Sequence, residues 1–161
     1  MRKLLSAALV IALAACQSAP RAPGFSPRQI AALKQAGFEQ RDNQWELSLA
    51  DRLLFATDES DLEPTQRARI RQLTAALLAV GIRGATVEGN TDSTGTAGYN
   101  LQLSEQRAQV VKQAMAHGGM APDAIKALGL GETHPVDTNR SAGGRKENRR
   151  VVIVVTAADA L

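Results

Sequence analysis

The amino-acid sequence predicts an α/β fold, in which a mixed sheet carries its helices on one face and a short helix precedes the sheet. Segments with alternating or Val/Ile-rich character, such as 45–49 and 149–156, are typical of strands. Two long segments, 63–81 and 99–117, instead repeat apolar residues every three or four positions, which predicts amphipathic helices. The 161 residues, 44% of them hydrophobic, suit one small domain.

The first residues have the features of a signal peptide. The basic start Met1-Arg2-Lys3 precedes the apolar run Leu4–Leu13, whose length of about ten residues is too short to cross a membrane. The residues that follow, Leu13-Ala14-Ala15-Cys16, resemble the bacterial lipobox, in which the cysteine is lipidated and becomes the first residue of the mature chain. The alternative is an unmodified thiol that is lost with the signal.

Cys16 is the sole cysteine, so no intrachain disulfide can form. The lipobox resemblance implies three acyl chains on Cys16, enough for a stable anchor where a single chain binds only marginally. Gln17 stands where inner-membrane lipoproteins usually have aspartate, so we expect an outer-membrane location that faces the periplasm. The segment 17–26 has a linker composition and reaches at most ~35 Å, which keeps the domain close to its membrane.

A short helix is predicted directly after this linker. Ser26 is suited to the N-cap position and Pro27 to the first helical position. Ile30 and Leu33 share one face of the helix, and Gly37 ends the pattern. With about ten residues this helix is marginal by itself, so it must dock on the domain or on another protein.

The remaining elements alternate along the chain in the order β-α-β-α-β-β. We expect the short apolar run 53–55 to follow the first strand, and a polar loop over 135–146 to precede the last strand. The predicted elements are a strand over 45–49, a helix over 63–81, a strand over 85–89, a helix over 99–117, a strand over 125–129 and a strand over 149–156.

Composition and charge exclude several classes of function. The formal net charge is +3, and loss of Arg2 and Lys3 with the signal lowers it to +1. With no run of like charges and only 3% aromatic residues, the sequence gives no basis for nucleic-acid binding. His117 and His134 have no evident nucleophile to pair with, and no Cys/His cluster exists, so we expect no enzyme, no cofactor and no metal.

Asp92 and Arg107 carry the predicted ligand chemistry. Arg107 lies on the apolar stripe of the second long helix, where an unpaired guanidinium costs several kcal/mol and therefore needs an anionic partner. Asp92 is the candidate nearest in sequence, in a loop where Gly95 allows close approach of a ligand and Asn100 can cap the helix. The two charges suit the zwitterionic end of an amino acid; the alternative is an internal salt bridge.

Three motifs in this part of the chain carry a family resemblance. They are Gly89-Asn90-Thr91-Asp92-x-x-Gly95, Leu103-Ser104-x-x-Arg107-Ala108 and Asn148-Arg149-Arg150-Val151. In this order they resemble the peptidoglycan-binding C-terminal domain of the OmpA family, over residues 45–156. The resemblance implies a two-layer sandwich of that type, with Asp92 and Arg107 holding the D-centre of meso-diaminopimelate in the stem peptide.

The same resemblance implies further site residues. The positions that match Asp58 and Asn100 also line the site in that family, and Arg149 or Arg150 would support it from the last strand. The chain departs from the family pattern at two places. Asn90 replaces the usual histidine or tyrosine, and Asp58 replaces a frequent asparagine, which adds negative charge that would weaken carboxylate binding or favour the amine.

The segment before this domain carries a second resemblance. The motif Pro27-x-Gln29-Ile30-Ala31-x-Leu33, followed by Gly37-Phe38 and Trp45-x-Leu47, resembles the YfiB-type lipoproteins. This implies that the chain sequesters the periplasmic repressor YfiR, which frees the diguanylate cyclase YfiN and raises cyclic di-GMP. Leu33, Phe38 and Trp45 would contact the partner, with the helix docked at rest and recruited on activation. Static packing of the helix, and a purely structural tether between outer membrane and peptidoglycan, remain open alternatives.

These patterns and resemblances together divide the chain into four parts. We expect a signal peptide over 1–15, the lipidated cysteine and linker over 16–26, a helical partner segment over 27–44 and the peptidoglycan-binding domain over 45–157. A homodimer remains open.

Overall fold

The computed structural model describes residues 24–55 and 61–160, with Arg52 as backbone only. The predicted signal peptide, the lipidation at Cys16, most of the linker and Asp58 lie outside the described residues. Within the part of the chain that is described, no helix has both the length and the apolar character required to span a membrane.

A five-stranded mixed sheet forms one layer of the domain. In chain order its strands are β1 (Glu39–Arg41), β2 (Gln44–Ala50), β3 (Ala85–Asn90), β4 (Ile125–Gly129) and β5 (Arg150–Thr156). Their order across the sheet is β1-β2-β5-β3-β4. β3 and β4 pair in parallel, and the other neighbours pair antiparallel. The predicted mixed sheet is therefore confirmed.

Two long helices form the second layer. The helices in chain order are α1 (Pro27–Gln35), α2 (Asp51–Leu54), α3 (Pro64–Ala79), α4 (Ala97–His117) and α5 (Ala142–Asn148). α4 connects β3 to β4 and packs on both strands, as a parallel crossover requires. α3 packs against α4, and α1 packs against α3.

The hydrophobic core lies between the sheet and these helices. Side chains alternate along the strands, so Trp45 of β2 and Val155 of β5, which are paired in register, both face the helices and are buried. Leu33 of α1 is 0% exposed and Phe38, just after α1, is 4% exposed, and both belong to the same core. The short N-terminal helix is therefore docked on the domain.

Local capping explains where α1 begins and ends. The Ser26 side chain accepts a hydrogen bond from the Gln29 N–H (3.3 Å), and the Gln29 side chain accepts one from the Ser26 N–H (2.8 Å). Gly37 adopts a φ of 88°, which lets the Phe38 N–H donate to the Leu33 carbonyl and turns the chain toward β1. The predicted cap, first-turn proline and terminal glycine are confirmed.

A pair of glycines sets the distance between α4 and the sheet. Gly89 of β3 and Gly129 of β4 are partners in the parallel ladder. A Cβ on Gly89 would overlap the carbonyl oxygen of Ser104, and a Cβ on Gly129 would lie 2.6 Å from the backbone nitrogen of Glu105. Only glycine allows this approach, which fixes the first half of α4 over the ends of both strands.

The structure differs from the predicted elements in three places. Residues 39–41 form an additional edge strand, joined to β2 by a tight turn in which Asp42 has a φ of 50°. The apolar run predicted over 53–55 belongs partly to the short helix α2. The predicted polar loop over 135–146 was wrong in its second half, where α5 forms because the Ser141 side chain caps the Gly144 N–H at 2.9 Å.

Candidate functional site

The topology brings charged and polar side chains together at one end of the sheet. β2 and β3 both end here, while β5 begins here because it runs antiparallel between them. Asp51 follows β2, Asp92 follows β3, and Arg149 directly precedes β5. Asn100 and Arg107 come from the first half of α4, which the glycine pair holds over the same end.

Asp92 is a buried carboxylate with two kinds of partner. It is 6% exposed. Its Oδ1 accepts a hydrogen bond from the Thr94 N–H at 2.8 Å, and its Oδ2 lies 2.5 Å from Nη1 of Arg149. Burial acts to raise the pKa of Asp92, but the hydrogen bond from Thr94 and the contact with Arg149 outweigh it and hold the pKa below its ordinary value. The group is therefore an anion at neutral pH.

Arg107 is a buried cation with its own anionic partner. It is 4% exposed, and its Nη1 lies 3.0 Å from Oδ1 of Asp51. The guanidinium also lies over the ring of Phe55, with 5.1 Å between its central carbon and the ring centroid. The requirement for an anionic partner, predicted from the apolar stripe, is met from the end of β2.

The alternative interpretation, an internal salt bridge between Asp92 and Arg107, was therefore wrong. Asp92 pairs with Arg149 and Arg107 pairs with Asp51. Nearness in sequence favoured Asp92, but the antiparallel ladder places the end of β2 beside the start of β5 and so supplies Asp51. Binding of one ligand by both Asp92 and Arg107 stays a prediction.

Asn100 bridges the Asp92 loop and a second carboxylate. Its Nδ2 donates to the backbone carbonyl of Asp92 at 3.2 Å and to Oε2 of Glu132 at 2.5 Å. The predicted capping role was wrong, because the helix begins earlier and Thr96 caps it by accepting from the Tyr99 N–H at 3.2 Å. Gly95, with a φ of 95°, makes the turn that leads from Asp92 into this cap.

A buried asparagine fixes the loop that faces Asp92. Asn148 is 0% exposed; its Oδ1 accepts from the Val136 N–H at 2.8 Å, and its Nδ2 donates to Oδ1 of Asn139 at 2.9 Å. The same Asn139 oxygen accepts from the Ser93 N–H at 3.2 Å. The long loop before α5 is thus attached to the residue that follows Asp92.

The two adjacent arginines have separate environments. Arg149 contacts Asp92, whereas Arg150, in the first position of β5, donates to the carbonyl oxygens of Asn148 (3.3 Å) and His134 (3.2 Å). Burial lowers the pKa of Arg150, and this outweighs the nearby charge of Glu88, which raises it. Of the two predicted supporting arginines, Arg149 is the one in contact with Asp92.

Asn90, the predicted departure from the family pattern, ends β3 and is 2% exposed. Its Nδ2 donates to the Glu88 carbonyl at 3.4 Å. Because side chains alternate along a strand, Asn90 shares a face of β3 with Glu88. Asn90 is paired in register with Arg150 of β5.

Sequence reasoning missed three residues that build this end of the sheet, namely Asp51, Glu132 and Asn139. Asp51 had a usable signal, since a carboxylate directly after a strand is a candidate partner for a buried arginine. Glu132 and Asn139 lie in a long loop between β4 and α5, and no local pattern indicates which strand end that loop approaches.

The predicted partner-contact residues Leu33, Phe38 and Trp45 are all buried in this arrangement. Leu33 and Phe38 could reach a partner only after α1 leaves the domain. Trp45 faces the helix layer from β2 and belongs to the same core, so contact through Trp45 also requires the helices that cover it to move.

The site as a whole offers two ion pairs at one strand end, in which one buried member is the anion Asp92 and the other is the cation Arg107. Such an arrangement suits a ligand that carries both an ammonium and a carboxylate. Within residues 24–55 and 61–160, no group of three His, Cys, Asp or Glu residues is placed to hold a metal ion.

Known proteins resemble the chain in both sequence and fold. The OmpA family model matches residues 54–149. The chain is 43% identical over 149 residues to the outer-membrane lipoprotein YfiB of Pseudomonas aeruginosa, across 92% of this chain and 89% of the relative. It is 40% identical over 160 residues to the putative lipoprotein YfiB of Escherichia coli, across 97% of this chain and 99% of the relative.

Solved structures agree with these sequence relatives. The cell wall anchor of the T6SS from Pseudomonas aeruginosa superposes with a TM-score of 0.66 and 31% identity, covering 80% of this chain and 94% of that one. The peptidoglycan-associated lipoprotein from Burkholderia pseudomallei superposes with a TM-score of 0.57 and 29% identity, covering 66% of this chain and 87% of that one. The chain therefore belongs to the OmpA family and, within it, to the outer-membrane lipoproteins of the YfiB type.

Proposed function

We propose that this lipoprotein binds peptidoglycan through the zwitterionic D-centre of diaminopimelate in the stem peptide. The observation that carries the proposal is the burial of Asp92 and Arg107 as charged groups at the same end of the sheet. The names of two fold relatives, a cell wall anchor and a peptidoglycan-associated lipoprotein, support the choice of ligand.

Each charged group has a role in this proposal. Arg107 holds the ligand carboxylate, because a guanidinium forms paired hydrogen bonds with a planar carboxylate. Asp92 accepts from the ligand ammonium. The Arg149 side chain is 40% exposed and places a further positive charge at the rim, where a carboxylate would first meet the protein. Asp58 and Gly95 complete the proposed site, together with Asn100.

The decisive test changes the charge of Asp92 and keeps its shape. In Asp92→Asn, we expect pull-down by purified sacculi to be lost while the thermal unfolding transition is retained, because the amide no longer attracts the ammonium. Asp123→Asn is the matched control, since Asp123 is exposed in the turn before β4. Unchanged pull-down by Asp92→Asn would contradict the proposed site, and loss of the folded state would favour a purely structural role.

We further propose that the chain sequesters a YfiR-like periplasmic repressor, which would relieve inhibition of the diguanylate cyclase YfiN and raise cyclic di-GMP. The observation that favours this is the construction of the N-terminal segment. α1 is nine residues long and its buried contacts are few, with Leu33 as its main apolar anchor. Such a segment is a candidate for local release at a lower free energy than the sheet. A structural tether between outer membrane and peptidoglycan is the second candidate function.

Substitutions on the two faces of α1 separate these functions. Leu33→Ser removes the buried anchor, so we expect the helix to undock and capture of purified YfiR-like protein to increase. Gln35→Ser is the control, because Gln35 is exposed on the same helix. Equal capture by both variants and the wild type would contradict the proposed switch and leave the tether as the function.

A further inference from the structure

The helices α1 and α3 carry several cations and no acid. Neither helix contains an aspartate or a glutamate. All their cations are exposed, and none of them forms an ion pair with another described residue. These cations, which together form the basic helix surface, are Arg28, Lys34, Arg67, Arg69 and Arg71. Without them, the net charge of the mature chain would be −4 rather than +1.

The two helices lie side by side in the helix layer. α1 packs against α3, and Nη2 of Arg28 donates to the carbonyl of Ala79 at the end of α3 (3.4 Å). The buried apolar residues of both helices belong to the core, so the cations lie on the faces turned away from it. The exposed acidic residues Asp61 and Glu63 precede α3 and lie at its start. The positive charge therefore belongs to the length of α3 and to α1.

α3 runs from the strand-end site to the start of the described chain. It begins just after Leu62, which is bridged to Phe55, whose ring lies against the guanidinium of Arg107. It ends at Ala79, which contacts Arg28 near the first described residues. With 16 residues at a rise of 1.5 Å each, the helix separates these two ends by ~24 Å. The end of α3 that contacts α1 is thus the one next to the chain's path to the membrane.

The predicted lipid anchor keeps the basic helix surface close to a bilayer. Cys16 precedes Gly24 by eight residues, which span at most ~28 Å when fully extended. Charges attract one another only over a screening length of ~8 Å at physiological ionic strength. The tether therefore has a direct effect, because it holds the surface at a high effective concentration beside the lipid headgroups.

We propose that the basic helix surface binds the periplasmic leaflet of the outer membrane through the phosphate groups of anionic phospholipids. Arginine suits this ligand, because a guanidinium forms paired hydrogen bonds with phosphate oxygens. Each cation held near an anionic bilayer favours the bound orientation by about fivefold, and a basic patch adds to the hold of a lipid anchor. In this orientation α1 lies between the domain and the lipid, and the open face of the sheet points away from the bilayer.

The test uses the full-length lipoprotein in vesicles, with one fluorescent label on either face of the domain. Cys16 is the only cysteine and lipidation consumes its thiol, so Ala75→Cys provides a single labelling site on the exposed side of α3. Ser48→Cys provides the control label, on the open face of the sheet. The quencher is a phospholipid with a spin-labelled headgroup, which acts only at short range. In vesicles of phosphatidylethanolamine and phosphatidylglycerol, we expect several-fold stronger quenching for the α3 label, and loss of this difference at high salt.

Two double variants separate the basic helix surface from net charge. Arg69→Gln combined with Arg71→Gln removes two of its cations and should lower the ratio of bilayer-bound to bilayer-free domain roughly twentyfold. Lys126→Gln combined with Arg140→Gln changes the net charge equally at exposed positions outside both helices, and should leave the ratio unchanged. The thermal unfolding transition should be retained in both variants, since all four side chains are exposed.

Each outcome supports or overturns the proposal. Stronger quenching of the α3 label that is lost at high salt and in the α3 double variant alone supports it. Equal quenching of the two labels, or quenching of neither, overturns binding through this face. Quenching that persists without the two arginines overturns the role of phosphate recognition. An equal loss in both double variants would show that net charge, rather than the basic helix surface, holds the domain at the bilayer.

Discussion

Asp92 and Glu88 lie close together on and just after β3, yet their surroundings shift their pKa values in opposite directions. Burial raises the pKa of both carboxyls. Asp92 also accepts from the Thr94 N–H and from Arg149, and these contacts reverse the effect of burial. For Glu88, burial and the charge of Glu46 raise the pKa, and the nearby charges of His134 and Arg150, which lower it, are too weak to reverse the effect.

The difference shows that hydrogen-bond donors, rather than burial alone, decide in which direction the pKa of each carboxyl moves. Both groups are near an arginine of the Arg149-Arg150 pair. Arg149 points its guanidinium at Asp92, while Arg150 gives its hydrogen bonds to backbone carbonyls. The strand alternation that separates the two arginines thus creates a charged site at the strand end and a weakly supported carboxyl on the other face.

Among tests of this comparison, the largest effect is expected from removing one arginine of the Arg149-Arg150 pair. Arg149→Gln deprives Asp92 of its ion pair and the rim of a positive charge, so affinity for sacculi should fall roughly tenfold to hundredfold. Arg150→Gln is the matched control, one residue away, and should change affinity by less than about threefold. Sacculus binding isotherms for both variants provide the measurement. Equal losses of affinity in the two variants would show that Arg149 and Arg150 do not differ in their contribution to binding.

A second test concerns the ion pair behind the site. Asp51→Asn leaves Arg107 buried beside a neutral amide, so unfolding in urea should require about 2 kcal/mol less free energy. The exposed Asp61 gives the control variant Asp61→Asn, which should remain within about 0.5 kcal/mol of the wild type. A result for Asp51→Asn within that same range would mean that Asp51 contributes little to holding Arg107.

The pH dependence of stability should distinguish Asp92 from an ordinary carboxyl. Its pKa is lower in the folded chain than in the unfolded chain, so its stabilising contribution is present above the unfolded value and is lost as the pH falls toward the folded one. Wild-type stability should therefore decline below about pH 4. Asp92→Asn should show a shallower decline in acid titrations followed by circular dichroism, and an identical slope would contradict this.

Glu88 should give the smallest effect, with the opposite sign. Its pKa is raised on folding, so the ionised group disfavours the folded state as the pH rises through the folded value. Glu88→Gln should raise the melting temperature at neutral pH by up to about 3 °C and leave it unchanged in acid, where Glu88 is protonated. A lower melting temperature at neutral pH would show that the carboxylate is stabilising.

The sequence was sufficient for the elements whose apolar pattern is long and for the family motifs. The two long helices and β5 follow their predicted patterns, and the Gly95 loop lies where the motif places it. α5 escaped prediction because two consecutive glycines, Gly143 and Gly144, argue against a helix. Gly144 is required there by packing, since a Cβ would overlap the Thr138 carbonyl.

The pairing inside the site could not be read from the sequence, because it depends on which strand ends become neighbours. Asp51 and Arg107 are brought together by the register of β2 with β5 and by the close packing of α4 on the glycine pair. Neither the strand register nor the packing distance leaves a local pattern in the sequence. Arg149 was predicted only as one of two candidates, with Arg150. The register of the last strand decides which of the two arginines faces the site, and the sequence does not show that register.

The position of α1 has a mechanical consequence. The described chain begins at Gly24, and α1 is followed first by the edge strand β1 and only then by the interior strand β2. Tension applied from the membrane side of Gly24 would therefore load the α1 contacts around Leu33 before any strand carries force. β1 would follow, as the edge strand of the sheet. In a lipoprotein that is held at one end by its membrane and at the other by the cell wall, the N-terminal helix would undock first, while the domain stays folded and bound to the wall.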